Sequence, residues 1–135
     1  MILDAPAHPR ARGTRVRPPR TLDAEELSAL ARLRRVAADL PGSREARSFG
    51  HPAFRVGGKA YAVLDRYAGT PCLWLKVDPM ERRALLARPG WHAAPYDPRR
   101  AALCCRLDAI DWRRVRRLLR MSYALANLKP PRRAG

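Results

Sequence analysis

Apolar residues recur at a helical period in two long stretches of this chain and alternate at a strand period in several shorter ones. Leu22, Leu27, Leu30, Leu33, Val36, Ala37 and Leu40 follow one face of a helix; Thr21 stands where an N-cap belongs, Asp23, Glu25 and Glu26 fill the first turn, and Pro41-Gly42 ends the run. The pattern predicts a helix of about five turns. Arg32, Arg34 and Arg35 near its C-terminal end suit the helix dipole without any ligand. Residues 49–64, FGHPAFRVGGKAYAVL, read as two strands joined by Gly57-Gly58, because two glycines supply the positive φ of a type I′ turn. With Val56 and Lys59 flanking the turn, Arg55 faces Ala60 and Phe54 faces Tyr61. Phe54, Val56, Tyr61 and Val63 then share the core face, opposite Arg55, Ala60, Ala62 and Leu64.

Further along, CLWLKV at residues 72–77 alternates Cys72, Trp74 and Lys76 against Leu73, Leu75 and Val77, completing a three-stranded meander. Asp78-Pro79, with Glu81 at N3, opens a short helix through Met80, Leu85 and Leu86 that Pro89-Gly90 closes. Residues 91–100, with two prolines, read as a loop laying Trp91 and Tyr96 against the sheet, and residues 101–107 as a further strand. Asp108 or Asp111 caps the last helix, which Pro130-Pro131 ends. On that helix Trp112, Val115, Leu118, Leu119, Ser122, Tyr123 and Ala126 fall in one arc, and Arg113, Arg116, Arg117 and Arg120 in the opposite one. The order read is helix, three strands, short helix, strand and helix, in one modest domain that begins after residue 20. Residues 1–20, proline-rich and arginine-rich, read as a disordered basic arm, and residues 129–135 as a basic tail.

Charge changes the picture. The chain of 135 residues carries 28 Lys and Arg against 12 Asp and Glu, a formal +16. Five arginines lie in residues 1–20 and three basic residues in 129–135, so the domain itself keeps an excess of positive charge. Such a field attracts polyanions, and nucleic acid is the natural partner. Only Lys59, Lys76 and Lys129 are lysines, a bias toward Arg that a GC-rich bacterial genome also explains.

Candidate chemistry is sparse. Cys72, Cys104 and Cys105 lie in predicted strands without CxxC spacing and read as buried thiols of a reducing cytoplasm. Cys104 and Cys105 point to opposite sheet faces, and His8, His51 and His92 have no Cys, Asp or Glu at ligand spacing, so no metal is expected. No cofactor-binding or hydrolase motif is present, no apolar run reaches membrane-spanning length, and acid/base groups would have to come from loops such as Asp65 and Asp97. Basic residues interleave with aromatics instead: Arg55, Lys59 and Lys76 for phosphates, with Tyr61 and Tyr96 for a groove or stacking, and the arginines of the last helix as a second basic surface.

Residues 40–64, LPGSREARSFGHPAFRVGGKAYAVL, with CLWLKV, GWHAAPYDPRR at residues 90–100 and LDAIDWRRVRRLLRMSYALA at residues 107–126, resemble the MmcQ/YjbR-like family, a domain of unknown function. The chain departs from it at Ala101-Ala102-Leu103, where the family usually opens a strand with Trp. The resemblance covers about residues 21–128 and implies a CyaY-like α+β fold, an antiparallel sheet packed against N- and C-terminal helices, and a DNA-binding role based on a double-wing shape. Iron binding, a property of acidic frataxin-like surfaces, does not transfer to so basic a chain. The expected function is non-enzymatic, weakly sequence-selective DNA binding, DNA ahead of RNA, with a module for an anionic ligand or acidic protein as the alternative.

Overall fold

The Gly57-Gly58 turn forms as the sequence predicts, with φ of 58° and 81°. It sits in a computed structural model that describes residues 20–128. The order of elements is α1 (Ala24–Ala37), β1 (Arg44–Ser48), β2 (His51–Val56), β3 (Lys59–Tyr67), β4 (Thr70–Lys76), α2 (Pro79–Leu86), β5 (Trp91–Ala93), β6 (Ala102–Arg106), a 3₁₀ turn (Leu107–Ala109) and α3 (Trp112–Ala126). Six strands form one antiparallel sheet in the order β1-β2-β3-β4-β6-β5. Three tight hairpins build its first four strands. Phe49-Gly50 and Ala68-Gly69 repeat the positive-φ pair of Gly57-Gly58, with a non-glycine residue at the first position of each.

β1 and β5 depart from expectation. REARS is mostly exposed and lacks apolar alternation, and Phe49, read as a strand residue, is instead a turn residue that stands 77% exposed. β5 is three residues long and carries the buried Trp91 within the segment expected to be a loop. Gly90 before it has φ +85°, and a Cβ there would stand 2.5 Å from that of Ala109. The close approach of strand and 3₁₀ turn therefore requires glycine.

The hairpin register also differs. Arg55 pairs with Ala60 and Val56 with Lys59 as expected, but the register shifts at Phe54, which pairs with Ala62 and not with Tyr61. Tyr61 is the extra residue of a β-bulge. Beyond it the alternation inverts: Ala62 and Leu64 enter the main core with Phe54, Val56 and Tyr61, whereas Val63 turns to the other face opposite Trp74. The Phe54 and Tyr61 rings still meet, centroids 6.4 Å apart.

Helix ends explain the helix placements. Asp23, not Thr21, is the N-cap of α1, in a capping box with Glu26, and Asp78 and Asp111 cap α2 and α3. α1 is shorter than its apolar pattern, and Leu27 is 55% exposed. The inward arc of α3 is as predicted, with Val115, Leu118, Leu119, Ser122 and Ala126 buried. α1 and α3 supply the main core on one sheet face, while Cys72, Ala94, Ala102 and Cys104 form a small cluster with Trp74 on the other.

Two buried polar groups fasten the layers. The Lys76 N–H donates to Ser122 Oγ at 2.9 Å, and the Ser122 hydroxyl donates to the Tyr61 carbonyl at 2.6 Å, so the serine bridges backbone groups just past the β3–β4 ladder. Tyr123 beside it donates to the Pro41 carbonyl, and Tyr61 shares a 2.6 Å hydrogen bond with Ser43. Glu26, fully buried, is ion-paired to Arg20 at 2.7 Å and Arg66 at 2.5 Å. Burial alone would raise its carboxyl, but hydrogen bonds from Arg20, Arg66 and the Asp23 N–H outweigh it and hold the group at about 2. Arg20 thus belongs to the folded domain and not to the arm. The rest of the expected arm and the tail lie outside the described residues.

Ser122→Ala should leave the Tyr61 carbonyl and Lys76 N–H without their partner and lower stability by about 2–3 kcal/mol, read from urea unfolding. Glu26→Gln should be destabilising by about 3 kcal/mol near neutral pH. The wild-type advantage is complete above the ordinary carboxyl value of 4.5 and is lost as pH falls toward about 2. The two proteins should therefore converge in stability at the acid end of a pH series.

Candidate functional site

Residues three or four apart share a helix face, and on two helices such a face is arginine-rich. Arg32, Arg35 and Val36 of α1, with Asp39 beyond its end, line a cleft of about 220 Å³ with Trp112, Arg116 and Arg120 of α3. The Arg32 guanidinium lies over the Trp112 ring, 5.4 Å from its centroid. Four guanidiniums thus share the cleft with one carboxylate. Arg35, Arg116 and Arg120 have no ion-pair partner among the described residues. The inward arc of α3 is spent on the core, which fixes this arginine face outward.

The residues singled out from the sequence divide between two layers. Arg116 and Arg120 enter the cleft, and Arg113 is exposed on the same helix. Arg117 is engaged, its guanidinium meeting the Glu81 carboxylate at 3.2 Å. Arg55 closes its own hairpin by donating to the Gly58 carbonyl at 3.1 Å; Lys59 is exposed at the tip; Lys76 lies 5.7 Å from the Trp74 ring centroid. Two assignments need correction. Tyr61 is 2% exposed, with its ring edge-on to Tyr123, and offers no face for stacking. Tyr96 has φ +57° and is 99% exposed, so it neither lies on the sheet nor lines a groove with Tyr61. Asp65 and Asp97 are committed separately: Asp65 accepts from the Arg66 N–H and meets His51, and Asp97 accepts from the Ala102 N–H.

Arg32 and Arg35 were missed as site residues because the helix dipole accounts for them locally; only the packing of α1 beside α3 brings them to Arg116 and Arg120. A second grouping was missed altogether. The ligand atoms of Cys72, His92 and Cys104 all lie within 4.8 Å of one another. The expectation that no histidine meets a cysteine is corrected here. Cys104 does point away from Cys105, but its neighbour is Cys72 across the β4–β6 pair. The Cys104 thiol is pushed far above its ordinary value, first by its hydrogen bond with Cys72 and then by burial. Burial pushes Cys105 up to about 12.

An open antiparallel sheet with two helices and the main core on one face defines an α+β protein with a basic helical layer. The chain belongs to the YjbR family, whose model matches residues 38–125. It is similar to the solved structure of the Deinococcus radiodurans protein DR2400, described by the family domain DUF419, at 30% identity and TM-score 0.62, covering 71% of this chain and 76% of that one. A Pseudomonas syringae protein shares the fold at 15% identity and TM-score 0.56, covering 78% of this chain and 99% of that one. No curated protein matches the chain. Among the described residues no helix is long and apolar enough to cross a membrane.

The three cysteines are buried and should resist alkylation in the folded protein. At about pH 8 the Cys105 thiol, titrating near 12, is in addition thiolate to only about one part in ten thousand. Labelling with iodoacetamide should be slow until denaturant is added and then proceed at all three.

Proposed function

We propose that the protein binds DNA non-enzymatically and electrostatically, with the arginine cleft between α1 and α3 as the centre of contact. The observation carrying this reading is the convergence of Arg32, Arg35, Arg116 and Arg120 around one cleft with a single carboxylate, Asp39. Arg113, Arg116 and Arg120 extend the surface along about 10 Å of α3. Base reading is not called for: the Trp112 ring is covered by Arg32, and the contacts available are guanidinium to phosphate. Affinity should then be steeply salt-dependent and nearly indifferent to sequence. Arg55 and Lys59, on the hairpin, become auxiliary in this reading.

The size of the cleft favours a second reading, in which it takes a compact polyanion such as a nucleotide and not a duplex. RNA would meet the same guanidiniums.

Anisotropy titrations of labelled duplex DNA across a salt series separate these. Replacing Arg32, Arg35, Arg116 and Arg120 by Ala should weaken binding and flatten the plot of log affinity against log salt by up to about 3.6 units, while Arg55→Ala with Lys59→Ala changes it by less. A slope that follows the hairpin pair and not the cleft would overturn the assignment. Tight binding of tripolyphosphate with negligible duplex binding would favour the second reading.

A further inference from the structure

Four strands bring side chains to one spot on the sheet face away from α1 and α3. Cys104 of β6 pairs in register with Trp74 of β4 on one side and His92 of β5 on the other, and Cys72 lies two residues before Trp74. All these side chains therefore leave the sheet in the same direction. From β3, the Tyr67 ring stacks on His92 with centroids 5.6 Å apart and planes 26° from parallel. Cys72 and Cys104 are each 1% exposed and His92 is partly exposed, so the cluster has a buried sulfur floor and an imidazole at its rim.

We propose that Cys72, Cys104 and His92 form a Cys₂His zinc site. Their ligand atoms lie within 4.8 Å of one another. A tetrahedral zinc with bonds of about 2.3 Å to sulfur needs its sulfurs about 3.8 Å apart, so small side-chain rotations bring the three donors to bonding distance. The His92 Nδ1 lies 3.1 Å from the Ala93 carbonyl; a neutral imidazole donating there keeps the Nε2 lone pair for a metal and is oriented by that bond. Two thiolates and a neutral imidazole cancel the charge of a divalent ion, which suits a pocket as buried as this one. Binding releases the two thiol protons to solvent and breaks no covalent bond in the chain.

Two sulfurs and one nitrogen suit zinc better than calcium or magnesium, which seek oxygen. The nearby carboxylate, Asp65, is engaged by His51 and the Arg66 N–H. The fourth position therefore falls to water or a small exogenous ligand, the arrangement of an exchangeable site and not of a closed structural one. The ion would also tie the three-residue β5 to β4 and β6.

The test uses the full chain, stripped of metal under a non-thiol reductant and titrated with Co²⁺. One equivalent should bind, with sulfur-to-cobalt charge-transfer and tetrahedral d–d bands, and Zn²⁺ should displace it. Cys72→Ser and Cys104→Ser should abolish the charge-transfer bands or shift them to those of a single thiolate. His92→Ala, at the rim where folding is least at risk, should weaken binding beyond the roughly 10–100-fold that loss of a supporting hydrogen bond costs. Cys105→Ser, facing the other core, should change nothing. Zinc should raise the melting temperature of the wild type and not of Cys104→Ser. Absence of stoichiometric binding by folded wild-type protein, or unchanged bands and affinity in His92→Ala, would overturn the proposal.

Discussion

The Ser122 hydroxyl is the contact on which the two layers depend. It takes the Lys76 N–H and gives its own proton to the Tyr61 carbonyl, so one small side chain of α3 completes the backbone hydrogen bonding of two strands where they part. The β3–β4 ladder ends at Ala62 and Leu75, one pair short of these groups, and β3 carries its bulge against β2 at the same residue, Tyr61. With the bulge, Tyr61 and Ala62 both face the helices, and the Tyr61 ring is enclosed by Phe54, Tyr123 and the hydroxyl of Ser43. The register of α3 on the sheet follows, and with it the outward aim of Arg113, Arg116 and Arg120.

The same division of faces separates the two chemistries. Arginine gathers on the outside of the helical layer, where four arginines line one cleft with Trp112 and Asp39. Sulfur and imidazole gather on the opposite sheet face, around Cys72, His92 and Cys104. Acidic residues are used mainly to hold the fold together: Glu26 between Arg20 and Arg66, Glu45 with Arg34, Glu81 with Arg117, and Asp23, Asp78 and Asp111 at helix starts. The net positive charge thus appears where no structural carboxylate answers it.

What could be read from the sequence was whatever is written in local order. Period, caps and the double-glycine turn disclosed α1, the β2–β3 hairpin, α2 and the two faces of α3. β1 escaped because REARS is an edge strand whose side chains are mostly exposed, so no alternation was imposed on it. β5 escaped because three residues carry no period. The bulge has no local signal either, since it answers a hydroxyl 61 residues away. The cleft was half legible: Arg116 and Arg120 stood out on their helix, whereas Arg32 and Arg35 acquire meaning only beside α3. Cys72, His92 and Cys104 are joined by strand order, which no spacing rule encodes.

The three two-residue hairpins have a consequence for how the chain assembles. Each closes only a short loop, so β1 to β4 can zip together from neighbouring residues at small entropic cost. The Ser122 contacts span 46 and 61 residues and require β3, β4 and α3 to have met. Docking of α3 is therefore the late, long-range event that turns a twisted ribbon into a closed core, and until then the apolar side of that ribbon stays open to solvent and to other chains.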